Sequence, residues 1–268
     1  MEENNATGRG QAMAGAGIGH TVEVLEEAPS TNTLLANDAG KLGSHGYVLR
    51  ARHQTAGRGQ RGRQWASVPG MQLQVSVVAH LRAHVERLTL VSLLTGVAVA
   101  EAIAACVDVP VSLKWPNDVQ VNGGDGMRKV CGILVENHPA GRQPRLVIGV
   151  GLNCNGGRGL FPPELQQVLT TLAEEAGSEP DQDALLAALL ERLEAWWQVI
   201  ETDPAGDARI REAWLHLGRI IGRRVRLNGE HMREEGTVGG MTEEGYLIIR
   251  LDDGKMHTQL SSDLEWLD

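Results

Sequence analysis

Val111-Ser112-Leu113-Lys114-Trp115-Pro116-Asn117-Asp118-Val119-Gln120-Val121-Asn122 runs through the glycine-rich Gly123–Gly126 into Val130-Cys131-Gly132-Ile133-Leu134-Val135-Glu136-Asn137, and Arg145 to Gly151 follows. Each run is short, apolar and rich in β-branched residues, and each ends at a proline–asparagine or glycine turn, so Val111–Trp115, Val119–Asn122, Val130–Asn137 and Arg145–Gly151 read as strands. Connections this brief suit antiparallel neighbours, because a parallel pair needs a long crossover.

Working upstream, Leu88–Val107 is apolar on every side and predicts a buried central helix. Thr89, Ser92, Thr95 and Glu101 interrupt it, so it falls short of the uninterrupted run of about 20 apolar residues that a membrane span needs. Gln72–Val78 and Thr21–Leu25 alternate like strands, Tyr47–Ala51 is a short apolar run, and Ser30 stands at the N-cap position of a helix carrying Leu34 and Leu35. Downstream, Pro162-Pro163 opens an amphipathic region with helices near Gln182–Ile200 and Ala208–Leu217. After Gly222 come the short runs Val225–Leu227, Thr237–Val238, Tyr246–Leu251 and Met256–Leu260, separated by glycine turns, which suggests a small barrel. The predicted class is α+β, a mixed and largely antiparallel sheet flanked by helices, with residues 1–20 a flexible Gly/Ala tail, 21–218 the main domain and 219–268 the C-terminal unit. The tail lacks the basic start and apolar stretch of a signal peptide.

With 268 residues, 42% of them hydrophobic, the chain can bury one sizeable core and a small second one. A formal net charge of -9 argues against broad attachment to nucleic acid or an acidic membrane. The three cysteines lie far apart without a C-x-x-C pair, which speaks against a disulfide framework or a zinc knuckle and for a reducing, cytoplasmic setting. Neither a G-x-S-x-G elbow nor H-E-x-x-H is present.

Gln54-Thr55-Ala56-Gly57-Arg58-Gly59-Gln60-Arg61-Gly62-Arg63-Gln64-Trp65 carries the strongest chemical signal. Its glycines let backbone N–H groups approach an anion, and Arg58, Arg61 and Arg63 supply forked donors. Alone, the segment reads equally as a solvated basic hairpin or an RNA-binding patch. Lys114-Trp115-Pro116-Asn117-Asp118 can hold a cation and a carboxylate at a strand end, or be a plain Asn-Asp turn. Lys129 enters an apolar strand and can be aimed into a cleft, with Gly132 leaving room for a ligand; an edge lysine against aggregation is the ordinary explanation. Gly149 to Asn153 offers close approach and an amide, and Ser30-Thr31-Asn32 caps a helix or touches a ligand.

In this order and wording, the five motifs resemble the catalytic domain of the biotin–protein ligase family, over about residues 21–265. The resemblance implies a class II synthetase-like catalytic domain and an SH3-like C-terminal barrel. It implies ATP and Mg²⁺, biotin as substrate, and the biotin carboxyl carrier domain of a carboxylase as partner, with the magnesium ligands unassigned and a homodimer left open. It places Ser30, Thr31, Asn32, Gln54, Gly59, Gln60, Arg61, Lys129 and Gly132 at biotin. Arg58, Arg61, Arg63, Trp65, Lys114, Asn117 and Asn153 go to the nucleotide, with Lys129, Arg58 and Asp118 as the catalytic set and Asp118 facing the acceptor lysine. Family members that double as repressors carry an N-terminal helix-turn-helix, which the residues before Thr21 are too few to form, so no DNA binding and no membrane are expected. Lipoate–protein ligase or octanoyltransferase is the alternative of similar fold, and a nucleic-acid-binding module the alternative of another class. The chain departs from the family pattern at Gln60, where many relatives have arginine. It departs again at the insertion Asn122–Met127, and at Asn155–Gly159, which predicts a more open nucleotide lid. The whole reading requires Lys129 and the glycine-rich loop to lie on one side of the sheet.

Overall fold

The structure is a computed structural model that describes residues 17–81, 87–122, 126–139, 144–228, 233–260 and 264–267. Most of the N-terminal tail and the centre of the 122–127 insertion lie outside the described residues. The described end of the tail is not loose. Ile18 is buried in the core, its N–H donates to Glu194 Oε2 at 2.7 Å, and the Gly19 N–H donates to the Gly46 carbonyl at 2.9 Å.

Seven strands make the main sheet: β1 (Thr21–Ala28), β2 (Tyr47–Gln54), β3 (Gln72–His80), β4 (Val111–Lys114), β5 (Asp118–Asn122), β6 (Met127–Asn137) and β7 (Arg145–Asn153). Their order is β1-β2-β3-β7-β6-β5-β4; only β1 and β2 run parallel, and the four strands after residue 110 are antiparallel neighbours, as the short connections require. One face carries α1 (Thr31–Asn37) and α2 (Ala39–Leu42). Ser30 caps α1, its hydroxyl accepting from the Thr33 N–H at 3.4 Å. The other face carries α3 (Leu88–Cys106), with α5 (Gln182–Thr202) and α6 (Gly206–Gly218) packed on it; the short α4 (Leu172–Ala176) precedes them. α3 has the length and composition of a membrane helix, yet 72% of its most apolar window is buried inside the fold, so its uniform hydrophobicity is explained by the core.

The C-terminal unit is an antiparallel sheet of β8 (Arg224–Asn228), β9 (Arg233–Met241), β10 (Leu247–Leu251), β11 (Met256–Gln259) and β12 (Leu264–Trp266), in the order β11-β10-β9-β8-β12. Among the described residues its end strands β11 and β12 do not pair, so it is an open sheet and not the closed barrel expected. Val225, Val238, Leu247 and Ile249 join the same apolar cluster as Leu90, Leu93 and Trp115, so the two sheets share one core. Trp115 Nε1 donates to the Gly245 carbonyl at 3.0 Å, tying the β4–β5 turn to the β9–β10 turn. Gly245 has φ +91°, and a Cβ there would stand 2.9 Å from Leu93 Cδ1, so only glycine fits.

Cys131 and Cys154 are buried and Cys106 is exposed, all as free thiols. Burial pushes the Cys154 thiol up to about 12 and Cys131 well above the ordinary thiol range, so neither supplies thiolate near neutrality. A chromogenic disulfide reagent at pH 8 should therefore titrate about one thiol per native chain, and all three after denaturation; a second fast thiol would show that a buried cysteine is reached.

Candidate active site

Polar residues stand where the α1 face of the sheet would otherwise be apolar. Gln72, Gln74 and Ser76 alternate along β3, and all are buried. Against them lie the buried Ser30, Thr31, Asn32 and Gln54. Thr31 N–H donates to Gln54 Oε1 at 2.7 Å, Gln54 Nε2 to Gln74 Oε1 at 2.7 Å, and Gln74 Nε2 to Ser67 Oγ at 2.8 Å. Ser76 Oγ lies 2.5 Å from Asn32 Oδ1 and 2.6 Å from Thr31 Oγ1. Ser30, Thr31, Asn32 and Gln54 floor an open cleft whose walls include Arg58, Gly59, Gln60, Trp65, Asn117, Lys129, Gly132 and Gly149 to Gly151.

The glycine-rich loop forms one wall. It closes on itself through Gly59 N–H to the Arg63 carbonyl at 2.7 Å and Trp65 N–H to the Gly57 carbonyl at 2.9 Å, around a 3-10 turn at Gln60–Gly62 in which Arg61 has φ +56°. The Trp65 ring lies against Gly132 of β6 and Gly151 of β7. A Cβ on Gly132 would come 2.8 Å from its Cζ3, and one on Gly151 would come 2.6 Å from its Cε2. Trp65 thus packs against Gly132, which still lines the cleft, and the buried Trp65 Nε1 has no hydrogen-bond partner.

Lys129 reaches the cleft because of a β-bulge. Val119 pairs with Cys131 and Gln120 with Lys129, leaving Val130 as the extra residue. Both Val130 and Cys131 point into the core, and the added residue turns Lys129 to the opposite face. Its backbone is pinned by Lys129 N–H to the Val168 carbonyl and Thr170 N–H to the Lys129 carbonyl, each 3.0 Å. Lys129 Nζ then sits 2.5 Å from Asp118 Oδ1 and 5.5 Å from the Trp65 ring centre, so the lysine and the loop share one side of the sheet. The insertion ahead of Lys129 leaves its aim intact.

A second cleft continues past Gly59, Gln60, Trp65, Asn117 and Lys129 to Arg63, Lys114, Asp118 and, from the C-terminal sheet, Leu264 and Trp266. Asn117 is held to β6 by its Nδ2 donating to the Ile133 carbonyl at 2.9 Å. The other loop arginines diverge from this cluster. Arg58 makes a two-pronged pair with Glu136 at 2.7 and 3.2 Å, and Arg61 lines neither cleft. Asn153 also lines neither: it shares the face of Gly149 and Gly151, but its side chain is spent on Gln72 at 3.1 Å and the Thr170 carbonyl at 3.0 Å. The Asn155–Gly159 segment, expected as an open lid, is bound at both ends. Thr171 Oγ1 donates to the Gly156 carbonyl at 2.6 Å and Arg158 pairs with Glu174 at 3.0 Å, while Phe161 and Leu169 pack on Met71. Among the described residues no group of three His, Cys, Asp or Glu side chains is placed to hold a metal ion. Gln74, Ser76 and Glu136 back the floor without lining the cleft; polar alternation in β3 is the signal that marks the first two.

A cleft with a neutral hydrogen-bonding floor at one end and cations at the other suits a small polar acyl group joined to an anionic partner. Comparisons with known proteins specify it further. Residues 24–153 match the Biotin/lipoate A/B protein ligase family, and residues 220–264 match the Biotin protein ligase C terminal domain. The biotin–[acetyl-CoA-carboxylase] ligase of Mycobacterium tuberculosis is 37% identical over 224 residues, covering 80% of this chain and 77% of the relative. The corresponding ligase of Paracoccus denitrificans is 30% identical over 242 residues, covering 87% and 95%. Among solved structures, the biotin protein ligase from Aquifex aeolicus in complex with biotin and ATP superposes with a TM-score of 0.77 at 29% identity, covering 92% of this chain and 98% of that one. The chain belongs to the biotin–protein ligase family.

Proposed function

We propose that this protein condenses biotin with MgATP to biotinyl-5'-AMP, releasing pyrophosphate, and then transfers the biotinyl group to a lysine of a biotin carrier domain. The observation that carries the reading is the bulge-aimed Lys129 facing Trp65 and the loop across a cleft floored by Ser30, Thr31, Asn32 and Gln54. Two negatively charged reactants must meet, and the cations at one end of the cleft offset their repulsion. In this reading Ser30, Thr31, Asn32 and Gln54 hold the biotin head group, and Gly59 and Gln60 close over its chain. Lys129 sits where carboxylate and α-phosphate join, Trp65 and Asn117 border the nucleotide, and Arg63 and Lys114 face its phosphates. Arg58 borders the head-group cleft while paired with Glu136, and Arg61 reaches the ligand only by leaving its present position. Mg²⁺ supplies charge neutralisation on the leaving pyrophosphate when bound with ATP. Residues 21–218 then form the catalytic unit and 219–268 an SH3-like unit. Free cysteines fit a cytoplasmic setting.

Incubation with biotin, MgATP and a carrier domain, followed by pyrophosphate release and acceptor mass, tests both half-reactions; biotin-independent or lipoate-driven turnover would defeat the reading. Asp118 separates the two steps. While it pairs with Lys129 it is not a base; once the adenylate phosphate engages Lys129, the carboxylate is released to accept a proton from the acceptor ammonium. Asp118→Asn should keep biotin-dependent pyrophosphate exchange within about fivefold while slowing acceptor labelling by about 100-fold. An equal fall in both would place Asp118 in the first step instead.

A further inference from the structure

We propose that Glu136 is a positioning residue that sets the hydrogen-bond polarity of the head-group floor, so that Thr31 and Gln54 both present acceptors to the ligand. The inference rests on the biotin-ligase reading of the cleft. Glu136 does not line the cleft itself. Its carboxylate, which can only accept, receives Asn32 Nδ2 at 2.9 Å, with the Leu134 carbonyl as a weaker second acceptor at 3.4 Å. This points Asn32 Oδ1 at Ser76, whose hydroxyl donates to it at 2.5 Å.

A hydroxyl has one hydrogen, and that of Ser76 is now spent. The 2.6 Å contact between Ser76 and Thr31 must then be made by the Thr31 hydroxyl donating to Ser76 Oγ. Thr31 Oγ1 consequently keeps its lone pairs for the cleft. Gln54 Oε1, 3.2 Å from Thr31 Oγ1, receives only the Thr31 backbone N–H and keeps a lone pair as well. From the far end, Gln74 Oε1 accepts from Gln54 Nε2 and fixes that amide the same way round. The chain is thus oriented from both ends, and its two cleft-facing groups match the paired N–H donors of a cyclic urea. The same carboxylate holds Arg58 in two-pronged fashion, while the loop itself is held by its own backbone bonds. A neutral amide at 136 could donate as well as accept, and Asn32 would lose the reason for its orientation.

The test is biotin binding by calorimetry without ATP, together with steady-state pyrophosphate exchange. Glu136→Gln should weaken biotin binding about tenfold, the scale of a lost charge-assisted hydrogen bond, while kcat at saturating biotin and KM for ATP stay within about twofold. Asn32→Asp should be weaker still, since it sets two carboxylates side by side. The double variant Asn32→Asp/Glu136→Gln restores the order of donors and acceptors: the new amide donates to the new carboxylate, which still accepts from Ser76. It should recover binding to within about threefold of wild type. Biotin binding by Glu136→Gln within about twofold of wild type, or a double variant no tighter than the weaker single, would overturn the proposal. Failure of the wild-type chain to bind biotin would instead remove the functional reading beneath it.

Discussion

Lys129→Gln should slow biotin-dependent pyrophosphate exchange by about a thousandfold, with a smaller change in biotin binding measured without ATP. The magnitude follows from charge: a unit cation about 4 Å from a unit anion at an effective dielectric near 20 is worth about 4 kcal/mol, and the developing phosphorane carries more negative charge than either reactant apart. Lys129 stands at the junction of the two clefts, lining both. Its removal also leaves Asp118, paired with it at 2.5 Å, as a bare carboxylate facing incoming anions. The double variant Lys129→Gln/Asp118→Asn should therefore exchange pyrophosphate faster than the single one, by about tenfold. A Lys129→Gln chain retaining more than about a tenth of wild-type exchange would show that another group neutralises the α-phosphate.

The local signals were legible because local physics sets them. The Ser30 cap, the buried α3 and the antiparallel ladder from Val111 to Asn153 follow from side-chain periodicity and turn chemistry alone. What escaped were consequences of long-range pairing. Parallel pairing of β1 with β2 joins strands separated by two helices, and no residue pattern in either announces it. The glycines of β6 and β7 read as space for a ligand, whereas their neighbours come from distant segments: Trp65 of the glycine-rich loop packs on Gly132 and Gly151, and Asn32 of α1 packs on Gly149. Asn153 has the right alternation for the cleft, but Gln72 and the Thr170 carbonyl reach it first. The bulge at Val130 was readable in principle: two consecutive core residues, Val130 and Cys131, must break the alternation, and the break is what aims Lys129.

Gly149 and Gly151 sit two residues apart on one face of β7, and adding a methyl group to each should damage different halves of the cleft. On Gly149 a Cβ would lie 2.3 Å from Asn32 Oδ1, and the strand cannot retreat. The backbone of β7 is fixed there by Ser76 of β3 on one side and Leu134 of β6 on the other, while Asn32 is buried and bonded to Ser76 and Glu136. Asn32 must leave, breaking the floor network, so Gly149→Ala should weaken biotin binding by about 100-fold and cost about 1–3 kcal/mol of stability through overpacking. On Gly151 the Cβ would meet the Trp65 ring at 2.6 Å, so the strain falls on the ring and not on the floor network. Gly151→Ala should then raise KM for ATP about tenfold and leave biotin binding within about twofold of wild type. Titration of biotin and of ATP against both variants separates the effects. If both substitutions moved the same constant, the division of the cleft into a head-group floor and a Trp65-bordered nucleotide end would be wrong.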